Sequence, residues 1–494
     1  MENVPLIRAR RTGFIRHRYV VCMFVFTGLA LVYALRVNLS VAIIAMAGSI
    51  PRNGSELEGT CILPETNETA GLRVRGDFDW NEQTKAAILG AFFYGYLSTQ
   101  IIGGIMAQKL SVKWVFGYGI FLTSVLSVTT EWVARWNVNA FIVLRVLEGI
   151  TEGVTVPTMY CLISRWAPKN ERTTMSMLCT VGTNIGTVIT MPITAALSDS
   201  ALGWSASFYL PGAAGIIWSL AWYICVTSQP ENHRWISAEE REYIMKNRET
   251  CHLSSKEIPW VEILTSRGVW MYSIARLLSS VTFYMFLTEM PTFVDQVFGI
   301  PLTGNGLLNG VFHSIYACAL MASAALSDYM IHRNVWSRTN IRKAFQCASF
   351  VVSGAMLILA TMVGCDYYAV TFLLCIASVA IALSGGGESS MALDLAPDHA
   401  ASVAGVGNTI GNVAAIIATN LVLAFHDPLN SQRGWNKAFI ATAGLSFVGA
   451  LIFGIFATAV EEPWSKRKDS DTSKCEGKFS SGFDPSAEST VSVY

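Results

Sequence analysis

Long apolar stretches, interrupted by short polar clusters, run the whole length of this chain. In the first half they cover 20–48, 86–108, 114–130, 137–164, 174–197 and 208–227. A polar gap at 228–266 follows, and then come 268–298, 307–326, 344–364, 367–392, 400–425 and 438–460. Each is long enough for an α-helix to cross the hydrocarbon core of a bilayer, and the ten-residue alternation of a membrane barrel is absent. The pattern predicts an all-α membrane protein with twelve transmembrane helices.

The gap divides those helices six and six, so the expected organisation is a tail at 1–19, a six-helix bundle at 20–227, a cytoplasmic linker at 228–266, a second bundle at 267–460 and a disordered tail at 461–494. Arg8, Arg10, Arg11, Arg16 and Arg18 lead straight into a helix-length apolar stretch with no small-residue cleavage site, which excludes a cleavable signal peptide. Lys and Arg gather in alternate loops, at Lys109 and Lys113, at Arg165, Lys169 and Arg172, and at Arg333, Arg338, Arg342 and Lys343. By the positive-inside rule those loops and both termini are cytoplasmic, and the long loop 49–80 is lumenal. That loop carries two glycosylation sequons, at Asn53 and Asn67. A third, at Asn38, falls inside the first span.

The two halves echo each other. Trp166-Ala167-Pro168 followed by Val181-Gly182-Thr183-Asn184-Ile185-Gly186 is matched by Leu395-Ala396-Pro397 followed by Val406-Gly407-Asn408-Thr409-Ile410-Gly411. A parallel repeat of six spans is how a pseudo-twofold transporter sets a site at the bilayer midplane between its halves. The glycines in these runs are suited to close helix packing.

Composition narrows the function. Of 494 residues 52% are hydrophobic and 14% charged, with 35 basic against 35 acidic side chains, and the mean hydropathy is +0.42. A soluble domain carries roughly a quarter charged residues. Zero net charge gives no basic field for nucleic acid. The eleven cysteines form no C-x-x-C and the seven histidines are scattered, so neither a metal site nor a cofactor is expected. At this length no disulfide scaffold is expected either. No His, Cys or Ser constellation suggests an enzyme.

Several stretches together resemble the anion/cation symporter family of the major facilitator superfamily, the group of sialin, the vesicular glutamate transporters and the type I sodium-phosphate cotransporters. They are Tyr33-Ala34-Leu35-Arg36-Val37-Asn38-Leu39-Ser40, Gly90-Ala91-Phe92-Phe93-Tyr94-Gly95-Tyr96, Thr99-Gln100-Ile101-Ile102-Gly103-Gly104, Glu152-Gly153-Val154-Thr155-Val156-Pro157, Arg165-Trp166-Ala167-Pro168, Thr288-Glu289-Met290-Pro291-Thr292, Asp394-Leu395-Ala396-Pro397 and Glu462-Pro463-Trp464. The resemblance spans essentially the full chain and implies the major facilitator fold, two pseudo-symmetric six-helix bundles with alternating access. It also implies that Arg36 binds an anion. Three positions depart from the vesicular glutamate transporters: Leu89 replaces a span-two histidine, Ser279 a span-seven arginine, and Gly387-Glu388-Ser389-Ser390-Met391 the usual Asn-x-Asn-His run. These departures leave sialin-like or phosphate-like members as the closer guide, with sialin-like members first.

An intramembrane charge costs about 2.5–3.5 kcal/mol on insertion scales and is a functional candidate by default. Seven stand out: Arg36, Arg145, Glu148, Glu152, Arg276, Glu289 and Glu388. The planar fork of Arg36 matches a carboxylate or phosphate, and Asn38, Tyr94 and Tyr284 join it as expected substrate contacts, with Tyr33 a further aromatic candidate. Pairing of Arg36 with a span-four carboxylate is the structural alternative. Arg145, Glu148 and Glu152 are spaced three and four, on one helix face. One arginine cannot neutralise two acids, so one of the acids is suited to carry a proton. Glu289 is expected at the wet lumenal end of its span, and Arg276 to snorkel toward the cytoplasm.

The expected function is secondary active transport of small organic anions, coupled to H+, with Na+-dependent phosphate uptake at the plasma membrane as the alternative. Glu2 with Leu6 and Ile7 fits an acidic dileucine signal read by a sorting adaptor, which points to lysosomal or endosomal membranes.

Overall fold

A computed structural model describes residues 16–47, 61, 76–168, 171–247, 259–427 and 430–465. Glu2, Leu6, Ile7, Asn53 and Asn67 lie outside the described residues.

The first half contains α1 (His17–Ala47), α2 (Glu82–Lys109), α3 (Val112–Trp136), α4 (Val138–Glu152), α5 (Thr155–Trp166), α6 (Arg172–Asp199) and α7 (Ala206–Cys225). A short linker helix, α8 (Ala238–Asn247), precedes the second half. That half contains α9 (Trp260–Thr265), α10 (Arg267–Tyr284), α11 (Met290–Phe293), α12 (Leu302–His332), α13 (Arg338–Met362), α14 (Tyr367–Ala382), α15 (Met391–Leu395), α16 (Ala400–Phe425) and α17 (Ser431–Phe456). Among the described residues, eleven helical stretches are long and apolar enough to cross a membrane.

The expected fourth span is cut in two, between α4 and α5. Pro157 explains the cut, because it has no N–H to give to the carbonyl four residues back, at Gly153, and its ring crowds that carbonyl. The seventh span loosens in the same way. Pro291 stands four residues after Leu287, and a π-helical turn at Met285–Glu289 absorbs the mismatch. The tenth span breaks at Gly385, Gly386 and Gly387, where a Cβ would strike the Leu320 and Ser323 carbonyls or the Gln346 side chain.

The repeated glycines make the tightest helix contacts. A Cβ on Gly182 or Gly186 of α6 would run into the Phe26 or Ala30 carbonyl of α1. In the second half Gly407 and Gly411 of α16 face Tyr272 and Arg276 of α10 in the same four-residue rhythm, but there the space is filled by side chains.

Each half has its own apolar core. One runs through Val21, Leu29, Phe116, Leu162, Trp166 and Trp222 and takes in Ile236 and Ile244 of the linker region. The other runs through Phe293, Phe312, Leu357, Leu374 and Phe439. The linker helix is also held electrostatically: buried Arg18 bonds Glu171 at 2.8 Å and Glu240 at 3.4 Å.

Between the halves, α6 and α12 interlock at the end that the Lys and Arg distribution makes lumenal. Gly306 and Gly310 face Met191 and Pro192, and Thr303 donates to Asp199 at 2.8 Å. On that same side a disulfide joins Cys61 to Cys365, and the Cys61 N–H donates to the Val297 carbonyl at 2.9 Å. A single bond of this kind is not the disulfide scaffold that the chain length excludes, and residue order gave no sign of it. The bond fixes a loop of the first half onto the second, on the face where thiols oxidise.

Candidate functional site

Arg36 lies nineteen residues into α1, 5% exposed, where five aromatic rings from three helices surround it. Its guanidinium carbon is 4.8 Å from the ring centres of Phe93 and Tyr96, 5.1 Å from Phe92 and 5.4 Å from Tyr33 and Tyr284. Cation–π attraction offsets part of the cost of burying the charge. One nitrogen, Nη2, donates to the Tyr284 hydroxyl at 2.9 Å, while Nε and Nη1 are buried with no hydrogen-bond partner. Among the described residues no carboxylate lies within ion-pair distance of Arg36.

Tyr284 carries the contact across the interface. Its hydroxyl donates to Asn412 Oδ1 of α16, Asn412 Nδ2 donates to the Asn408 carbonyl at 2.6 Å, and Asn408 Nδ2 returns to Gln100 of α2 at 3.1 Å. The two halves are thus joined at Arg36 by side chains that can re-pair when the halves move. Gln100, Tyr96, Phe92, Phe93 and Asn412 are not among the expected contacts. The first four sit inside stretches already quoted for the family resemblance, and Asn412 follows the repeated glycine run, so proximity in three dimensions was the missing signal.

Two of the expected substrate contacts are placed elsewhere. Tyr94 is 57% exposed, pointing away from Arg36, because its neighbours Phe93 and Tyr96 take the inward face of α2. Asn38 is fully buried, but its Nδ2 donates to the Ser207 carbonyl at 3.0 Å, so it ties α1 to α7. Tyr284 alone of the three touches Arg36.

In α4 the Arg145 Nη1 donates to Glu148 Oε2 in a buried pair, and Phe92 lies between this pair and the Arg36 site, 5.4 Å from the Arg145 guanidinium carbon. Glu152, one turn on, is 0% exposed, and neither of its carboxyl oxygens has a hydrogen-bond partner. A cleft lined by Arg36, Val37, Ser40, Leu89, Phe92 and Arg145 opens beside these groups, closed toward the second half by Leu287 and Thr288.

The second half carries two further buried acids. Glu289 is 3% exposed and accepts from Thr419 at 2.8 Å and Thr288 at 3.3 Å, so it is enclosed and not wet as expected. The π-helical turn before Pro291 rotates it inward. Arg276 forms an ion pair with Glu388 at 3.0 Å, with about a third of its own side chain exposed. Among the described residues no group of His, Cys, Asp and Glu could hold a metal ion.

Comparison with known proteins bears on the family and the fold. The family model described as Major Facilitator Superfamily matches residues 25–419. Human sialin is 33% identical over 459 residues, 91% of this chain and 90% of that protein. Vesicular glutamate transporter 3 of Danio rerio is 30% identical over 488 residues, 96% of this chain and 80% of that protein. Among solved structures, an inward-facing bacterial homologue of the human lysosomal transporter Spinster superimposes with a TM-score of 0.66 at 14% identity, over 89% of this chain and 97% of that one. The xylose transporter XylE of E. coli, inward open, gives 0.60 at 13%, over 89% and 96%.

Proposed function

The chain belongs to the major facilitator superfamily, in the group of sialin and the vesicular glutamate transporters, and is a membrane transporter of small anions rather than an enzyme; from that footing we propose that it moves small organic anions together with protons, with Arg36 as the substrate-binding cation and Glu152 as the proton carrier. The observation that carries the reading is a buried guanidinium with two unbonded nitrogens beside a buried carboxyl with two unbonded oxygens. A charge left unpaired in an apolar interior is costly. A substrate carboxylate accepting from Nε and Nη1 of Arg36 satisfies the first group through a two-pronged bond. A proton on Glu152 satisfies the second.

Alternating access then has a physical basis. Tyr284 belongs to the second half and holds Arg36 of the first, so a substrate competing for the guanidinium weakens a bond between the halves. Glu152 carries its proton while enclosed and releases it when the closing halves part. The Arg145–Glu148 pair stays fixed and keeps the local field constant. The proposed compartment is lysosomal or endosomal, resting on the dileucine pattern at Glu2, Leu6 and Ile7; replacing Leu6 and Ile7 by Ala should then shift the protein to the plasma membrane.

Proteoliposome counterflow with N-acetylneuraminate, glucuronate, glutamate, urate and inorganic phosphate tests the substrate class, and imposing H+ and Na+ gradients separately tests the coupling. Accumulation of an organic anion on a pH gradient alone is the expected result. Phosphate uptake that requires Na+ would replace this reading with the alternative.

A further inference from the structure

Arg276 and Glu388 have no part in the scheme above, yet their geometry is unusual. Arg276 stands in the tenth position of α10 with about a third of its side chain exposed, whereas Glu388 is 2% exposed. The side chain of Arg276 lies over Gly411 of α16, and Tyr272, one turn earlier, lies over Gly407. Asn408, next to Gly407, bonds Gln100 of the other half at 3.1 Å, and Tyr284, eight residues beyond Arg276, accepts from Arg36, so α10 and α16 together border the gap between the halves.

The internal repeat fixes the relative depth of the two arginines. Phe26 and Ala30 meet the α6 glycines as Tyr272 and Arg276 meet those of α16, so Ala30 is the counterpart of Arg276. Arg36 is six residues beyond Ala30, and the equivalent position in the second half is Thr282. Six helical residues are roughly 9 Å of rise. Arg276 thus lies deeper toward the cytoplasmic end than Arg36 by that amount.

Glu388 meets Arg276 through one oxygen only. Its Oε1 accepts from Arg276 Nη1 at 3.0 Å, its own backbone N–H is held by Gln346 at 3.1 Å, and Oε2 is buried without a partner. The carboxylate is attached to the glycine-broken segment between α14 and α15, where the chain is not held by a continuous helix. A one-pronged internal carboxylate on an exposed arginine is the arrangement a two-pronged external carboxylate can displace.

We propose that Arg276 is a second anion-binding subsite on the cytoplasmic side of Arg36, and that Glu388 is its built-in competitor, occupying the guanidinium until a substrate carboxylate takes its place and reclaiming it when the substrate leaves. The inference rests on the transport reading above. Its chemical consequence is low affinity on the cytoplasmic side. A substrate passing from Arg36 finds a cation to receive it and a tethered carboxylate that expels it.

The test measures binding to the purified full chain by thermal stabilisation, with N-acetylneuraminate, glucuronate, glutamate and inorganic phosphate each as probe. Glu388→Gln should bind the organic anion that the wild type binds about tenfold more tightly, because the competitor loses its charge. Arg276→Gln should remove that gain, and the double variant Arg276→Gln/Glu388→Gln should match Arg276→Gln. Glu388→Asp, which withdraws the carboxylate by one methylene, should tighten binding to a lesser degree and serves if the Gln variant does not fold. If the wild type binds one of the probes and neither Glu388 variant binds it more tightly, the competitor role is wrong while the transport reading stands. If both single variants lose stability, the double variant regains it and affinity never changes, the pair is purely structural and the proposal falls. If the wild type binds none of the four probes, both readings fall together.

Discussion

The two halves of this molecule each bury an arginine, and they treat it in opposite ways. In the first half Arg36 is ringed by aromatic faces, with a tyrosine hydroxyl as its one hydrogen-bond partner. In the second half Arg276 is a third exposed and holds a carboxylate. The first arrangement leaves directional donors unsatisfied in a low-dielectric setting and so favours an anion that arrives from outside. The second satisfies the charge internally, so any external anion has to compete. The acids divide in the same way: Glu152 has no partner, whereas Glu289 is held by two threonines and Glu388 by Arg276. A pseudo-symmetric frame has thus been filled asymmetrically, and the proposed binding and proton-exchange groups both fall in the first half.

The largest effect is expected from Glu152→Gln. The amide keeps the shape of the protonated acid and cannot titrate, so accumulation driven by a pH gradient should be abolished while substrate exchange across the proteoliposome membrane continues. Loss of both activities in correctly folded protein would make Glu152 structural and erase the contrast with Glu289 and Glu388.

Arg36→Lys should come next. Lysine keeps the charge and removes the fork, and loss of one charge-assisted hydrogen bond is worth about 10- to 100-fold in transport at low substrate. Surface expression should be unchanged, as fluorescence of a tagged protein can measure. Uptake near wild type would transfer the substrate to another cation, and Arg276 would be the first to examine.

Tyr284→Phe sharpens the picture. Removing this hydroxyl frees Arg36 from the second half and leaves Asn412 without its donor, so half-saturation should shift by about tenfold, the lower end of the range for a hydrogen bond to a charged group. Transport rate should change more than binding if Tyr284 couples the halves, which saturation kinetics of uptake would reveal against a binding assay on the same protein.

The smallest effect belongs to Tyr94→Phe. The ring is exposed on the outer face of α2, and uptake should stay within about twofold of wild type, the scale of ordinary surface substitutions. A larger loss would mean that Tyr94 faces the site in another conformation of the carrier.

Much of the architecture was legible in the chain because a bilayer imposes a length and a composition on every crossing segment. The apolar segments, the repeated glycines and the seven intramembrane charges could all be read from residue order. The breaks in the fourth and seventh spans were also written there, in Pro157 and Pro291, although hydropathy alone passes over them. Pairing was not legible. Residue order places Arg145 and Glu148 on one face, and they do pair, but it could not say that Arg36 would take Tyr284, more than two hundred residues away, instead of a carboxylate of α4. Nor could it separate Tyr94 from Tyr96, or find the bond between Cys61 and Cys365. Local sequence sets which residues can be helical and which face they share, since backbone hydrogen bonds close within a few residues. Which of two faces meets which helix of the other half is decided only when all the helices pack, because that choice minimises unpaired charge and unfilled volume over the whole molecule at once.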